Sequence, residues 1–175
     1  MRLFIALPIT KPVEQALGLA LVHLESAVAT TVPPERWHLT LAFLGEVADA
    51  QSVSRLLDRL SLPFLPAVTI THLGRGEQPQ QVWAYAAATY PLLALQRMLV
   101  ERLQQSGLPF PEADFTRPFI PHIRLGNLAD SAKQTMLPDE AVQVTFVPKE
   151  AKLYASVGAG QNLHYEVQGS MSLTA

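Results

Sequence analysis

Two short segments of this chain alternate polar and apolar residues with a period of two, and each opens on a histidine. They are His38-Leu39-Thr40-Leu41 and His122-Ile123-Arg124-Leu125. A period of two is a strand, in which residues i and i+2 point to the same face. Each segment therefore buries Leu39 or Ile123 in a core and turns an imidazole and a second polar group the other way. A fold that satisfies both needs two strands with one face packed and the other lining an open space. Where those open faces meet, an acid and a base stand on opposite sides of one substrate atom. Thr40 and Arg124 are then the candidate ligands for phosphate oxygens. That is a layout for chemistry on phosphate.

The remainder of the chain supplies alternating strand and helix patterns around this pair. Arg2 to Leu7 reads as a buried strand. Thr10 is placed to cap a helix with Pro12 in its first turn and Val13, Leu17, Leu21, Leu24 and Val28 along one stripe. Pro33-Pro34 breaks the chain before the strand Trp37 to Leu44, which Gly45 stops. Asp49 or Ser52 opens a second helix with Val53, Leu56, Leu57 and Leu60 on one face, ended by Pro63 and Pro66. Strands are expected near Ala67 to Leu73 and Gln81 to Ala88, then a helix carrying Leu92, Leu95, Leu99 and Leu103 with Gly107 as its stop. Phe119 to Leu125, Ala141 to Val147, Lys152 to Val157 and Leu163 to Met171 read as extended. The two histidine strands lie 84 residues apart, which suggests a weak internal duplication. This order predicts an α+β fold: a two-lobed sandwich of antiparallel sheets facing a central cleft, with helices on the outside. No linker separates independent units, so residues 1 to 175 are expected to form a single domain of two lobes.

Composition narrows the chemistry. At 49% hydrophobic and 16% charged, the chain has the makings of a packed core and not of a disordered segment. A formal net charge of −2 argues against strong non-specific binding to nucleic acid, while leaving a locally recognised RNA end as a substrate. The absence of cysteine removes disulfides, thiolate catalysis and cysteine-ligated zinc. Apolar runs such as Leu3 to Pro8 are too short for a bilayer, and no signal peptide is evident, so the expected compartment is the cytoplasm without membrane attachment. No phosphate loop of the G-x-x-x-x-G-K type supports ATP-driven ligation.

Longer strings around the two motifs are more specific than the motifs alone. Trp37-His38-Leu39-Thr40-Leu41-Ala42-Phe43-Leu44-Gly45 and Arg117-Pro118-Phe119-Ile120-Pro121-His122-Ile123-Arg124-Leu125 resemble the paired signature of the 2H phosphoesterases. The nearest resemblance is to the bacterial RNA 2′,3′-cyclic phosphodiesterases, also called 2′-5′ RNA ligases. It extends to Arg2-Leu3-Phe4-Ile5-Ala6 and to Leu153-Tyr154-Ala155-Ser156. The resemblance implies an enzyme that opens the 2′,3′-cyclic phosphate of an RNA or oligonucleotide end to a 2′-phosphate, without metal or cofactor. Ligation in the reverse direction is implied as well, and tRNA fragments are substrates by family analogy. His38 and His122 would be the catalytic pair, His38 leaning towards the acid and His122 towards the base, with Thr40 holding phosphate. The chain departs from the family at Arg124, where the pattern has a second threonine or serine. The family's arginine, three residues further on, is here Asn127.

Two readings of Arg124 stay open at this level. A guanidinium donates two hydrogen bonds to phosphate oxygens and brings more charge than a hydroxyl. Alternatively the motif has lost its function, leaving a non-catalytic protein that binds nucleotides or RNA ends. Phe119, Tyr154 and Arg117 are candidate substrate contacts, the rings for stacking and the arginine for a flanking phosphate. His23, His72 and His164 carry no such pattern and are expected to be structural or solvated, and a monomer is the default.

Overall fold

The computed structural model describes residues 1–58, 66–78, 80–132 and 140–173. In chain order its elements are β1 (Arg2–Pro8), α1 (Lys11–His23), β2 (Val28–Thr31), β3 (His38–Glu46), α2 (Ala50–Leu57), β4 (Val68–Arg75) and β5 (Gln81–Ala86), followed by α3 (Tyr90–Gln105), β6 (His122–Leu128), β7 (Glu140–Phe146), β8 (Glu150–Val157) and β9 (His164–Ser172). The strands run in the order β7-β4-β5-β6-β3-β1-β8-β9, with β2 added beside β6. All of their pairings are antiparallel.

The α+β architecture of antiparallel strands and packed helices is the one expected. One detail of it governs the site. β3 and β6 meet at a single pair, Leu39 with Ile123. On one side of that pair lie β6, β5, β4 and β7, and on the other β3, β1, β8 and β9. The two lobes are thus joined through the apolar residues of the two histidine motifs, both fully buried. The same apolar core continues from Leu3, Leu7 and Leu153 in one lobe to Val68, Ile70 and Val82 in the other.

Helices cover the sheets with the stripes read from their spacing. α1 buries Val13, Leu17 and Ala20 and packs on β7. α2 buries Val53 and Leu57 and packs on β9, its first turn held by Asp49 Oδ1, which accepts the Ser52 N–H at 3.1 Å. α3 buries Leu92, Leu95, Leu99 and Leu103 and lies on β3. Leu60 and Pro63 of the expected second helix lie outside the described residues.

Three expectations need correction. Thr10 occupies the N-cap of α1, but its side chain makes no capping bond. Val28 does not continue the α1 stripe. The Ala27 and Val28 N–H groups turn back to the Leu24 carbonyl, and Val28 then opens β2, whose β-branched residues suit an extended chain. β6 begins at His122 and not at Phe119, because Pro118 and Pro121 offer no N–H to a ladder. The carbonyl of Pro121 still accepts from Ala86 N, which aligns the approach to His122.

Candidate active site

The register at Leu39 and Ile123 sets His38 across from Arg124 and Thr40 across from His122, all on the face opposite the buried pair. All four line one cavity of about 1280 Å³ between the lobes. Both motif strands then repeat the same irregularity. Ile5 and Ala6 of β1 pair with Ala42 and Thr40, so Leu41 is an extra residue in β3. Val82 and Trp83 of β5 pair with Gly126 and Arg124, so Leu125 is an extra residue in β6. A bulge reverses the alternation beyond it. Phe43 and Asn127, each five residues past a histidine, therefore return to the cavity face, and both line it.

Each imidazole is locked in the same way. His38 Nδ1 lies 2.7 Å from the Arg36 carbonyl oxygen, and His122 Nδ1 lies 2.7 Å from that of Ile120. A carbonyl only accepts, so Nδ1 carries the proton in both rings and Nε2 keeps its lone pair for a substrate. Burial pushes the His38 pKa down to about 4, opposed by the bond to Arg36 and assisted by nearby His122. Burial also lowers that of His122, opposed by the bond to Ile120 and assisted by the Arg117 guanidinium. The free protein thus holds two neutral, oriented imidazoles that a bound anion would help to protonate.

Arg124 faces the cavity with its Nη2 donating to Asn127 Oδ1 at 3.1 Å. Asn127 Nδ2 in turn donates to Thr30 Oγ1 at 3.0 Å. The guanidinium is consequently anchored through β6 to β2. Gly126 makes that approach possible, since a Cβ there would collide with the Thr30 carbonyl oxygen.

The other expected contacts divide. Phe119 and Arg117 line the cavity, Arg117 paired with Glu77 in the turn between β4 and β5. Tyr154 does not line it: its ring stacks on Phe4 at 5.3 Å and lies 6.2 Å from the His38 ring, while Phe4 lines the cavity 4.8 Å from that ring. Arg36 donates to the Leu163 carbonyl at 2.9 Å, which fixes the entry to β3. Trp83 was not singled out by the sequence. It lines the cavity and stacks on His122 with ring centres 3.5 Å apart. Among the described residues no three His, Cys, Asp or Glu side chains cluster as a metal site, and no helix is long and apolar enough to cross a membrane.

Residues 16–157 match the model of the 2′-5′ RNA ligase superfamily. The chain belongs to that superfamily. The motif resemblance to the 2H phosphoesterases is thereby upheld. Within the superfamily it is similar to the RNA 2′,3′-cyclic phosphodiesterase of Escherichia coli (strain K12), 29% identical across 99% of this chain and 97% of that protein. The protein of the same name from Thermotoga maritima is 31% identical across 73% of this chain and 70% of its own length. Among solved structures, E. coli LigT complexed with 3′-AMP superposes with a TM-score of 0.78 at 28% identity, covering 99% of this chain and 98% of that one.

Proposed function

We propose that this member of the 2′-5′ RNA ligase superfamily is an RNA 2′,3′-cyclic phosphodiesterase, hydrolysing the cyclic phosphate of RNA or oligonucleotide ends to a 2′-phosphate and running the reverse 2′-5′ ligation. The names of its E. coli and T. maritima relatives support the activity. The observation that carries the reading on this chain is the matched pair of imidazoles, each Nδ1 tied to the carbonyl two residues earlier, facing one cavity.

In the forward reaction a water oxygen attacks phosphorus as His122 Nε2 takes its proton. The bond from phosphorus to O3′ breaks in line, and His38 Nε2 gives O3′ a proton. The products are a 2′-phosphomonoester and a free 3′-hydroxyl, and the proton count balances with His38 and His122 exchanged in charge. Thr40 and Arg124 hold the non-bridging oxygens and meet the charge that develops there. The ring on the acid side is the one pushed furthest from protonation, so the substrate's own negative charge supplies the field that charges it. No metal or cofactor enters these steps. Residues 1–175 act as one domain of two lobes, a monomer in the cytoplasm, and the continuous core through both lobes supports the single domain.

Incubation with a 2′,3′-cyclic mononucleotide tests the reading directly, with a 2′-phosphate as the expected product. His38→Ala and His122→Ala should each lower turnover by about 100-fold or more, the usual scale of general acid–base catalysis. Near-normal turnover in either variant would remove that histidine from the mechanism. EDTA should leave the rate unchanged; inactivation reversed by zinc would sink the metal-free route. Binding without product would make the protein a non-catalytic end binder.

A further inference from the structure

The stack of Trp83 on His122 lies outside the paired-histidine scheme. The ring planes are 10° from parallel with centres 3.5 Å apart. The opposite catalytic ring is held differently: Phe4 is tilted by 30° at 4.8 Å, and Tyr165 meets it edge-on at 5.3 Å. Trp83 is also built into place. Its Nε1 donates to Gln81 Oε1 at 2.8 Å, and only 5% of its surface is exposed. Just past the end of β4 the chain supplies a slot for it, because a Cβ on Gly76 would collide with Cε2 of the indole. The indole is therefore wedged between the Gly76 backbone and the His122 imidazole.

We infer that Trp83 is a positioning residue for His122, fixing its ring plane and stabilising the imidazolium that forms as water gives up its proton. The inference rests on the reading of His122 as an acid–base group. An indole face attracts a cation more strongly than any other side-chain ring. That charge is absent from His122 while substrate waits and present when phosphorus is attacked, so the contact strengthens towards the transition state and acts on kcat. Trp83 works together with the Ile120 carbonyl, which fixes the in-plane direction while the indole fixes the plane. The charged and titratable groups facing His122 are Arg117 from the loop before β6, its partner Glu77, Arg124 on β6, His38 on β3, and Tyr85, its ladder partner on β5, which burial holds neutral. None of them belongs to the stack itself, so a change in Trp83 acts first on the ring's support.

The test compares Trp83→Leu, Trp83→Phe and wild type in steady-state kinetics across pH, with the His122 titration followed by NMR. Trp83→Leu should lower kcat by about 10-fold or more with KM within about 2-fold, the scale on which a misplaced catalytic group costs rate. It should also move the His122 titration to lower pH. Trp83→Phe should restore most of both effects. A rise in KM at constant kcat would make Trp83 a substrate contact instead, and an unmoved titration would reduce it to packing; either result overturns the inference. Should Trp83→Leu fail to fold, wild-type fluorescence decides. Tryptophan emission should fall as His122 protonates, and His122→Ala should abolish the change, whereas emission flat across that range rejects the contact. The two failures are separable. Normal turnover in His122→Ala defeats the site reading itself, while a dead His122→Ala beside a normal Trp83→Leu defeats this inference alone.

Discussion

At the scale of single residues, the departure at Arg124 is the most consequential. In the strand register it stands across from His38, and its guanidinium is tethered at one nitrogen by Asn127. A tethered guanidinium has fewer rotamers to lose when it grips a phosphate, and its remaining donors form the fork that matches two oxygens. Arg124→Thr should therefore reduce kcat/KM on the order of 100-fold, as removal of one donor to a developing oxyanion does. Arg124→Lys should recover only part of that, since an ammonium brings the charge without the fork. An activity gain in Arg124→Thr, measured on a cyclic mononucleotide, would identify the arginine as a defect and not a ligand. The sequence made Arg124 visible because it interrupts a motif. Asn127 was visible only as the place where the family's arginine is missing, and its hydrogen bond to Arg124 had no pattern to announce it.

At the scale of elements, period-two reasoning located both histidine strands but stopped at their bulges. Strict alternation turns Phe43 and Asn127 towards the core, whereas the extra residues Leu41 and Leu125 return them to the cavity. The signal was present as two consecutive buried residues in each strand, Leu41-Ala42 and Leu125-Gly126. Such a doublet is also what an ordinary buried strand shows, so sequence alone does not separate the two cases. β2 escaped for a different reason: it has four residues, mostly exposed, and no apolar face to show a period. Yet β2 carries Thr30, the far end of the chain that holds Arg124. Gly126→Ala tests that dependence, because the new Cβ must push the Thr30 carbonyl aside. We expect a loss of about 1–3 kcal/mol, the range for forcing a methyl into a filled space. Thermal unfolding should record a drop of several degrees, accompanied by reduced kcat/KM as Asn127 loses Thr30. An unchanged melting temperature would show that β2 moves aside freely.

At the scale of the whole molecule, joining the two halves of the sheet through one buried pair makes the histidines both the proposed acid–base pair and a charge burden on the fold. Their spacing in sequence gave the reason to expect two facing halves. The depth at which the halves enclose the rings depends on β1, β8, β9 and β5 together, which no local pattern encodes. That depth fixes the pH behaviour. His38 has a folded pKa of about 4 against 6.5 when unfolded, and His122 is lowered in the same direction. As pH falls below 6.5 the unfolded chain takes up protons that the folded chain refuses, so stability is full above about 6.5 and declines towards pH 4. At about 1.4 kcal/mol per pH unit, His38 alone accounts for a loss on the order of 3 kcal/mol. Urea unfolding of His38→Gln should show a flatter decline than wild type between pH 6.5 and 4, and parallel curves would contradict the buried, neutral ring. The proposed acid–base mechanism draws on the same depression. The active form needs one ring protonated and one neutral, and in the free protein that state is most populated between two pKa values that both lie below 6.5. The kcat/KM profile should therefore be a bell centred on the acid side of 6.5. A phosphate held between the rings as proposed would raise both pKa values, so the kcat profile should lie at higher pH than the kcat/KM profile. Two superimposable bells would mean that the anion does not bear on the histidines, and with that the placement of phosphate between them would fall.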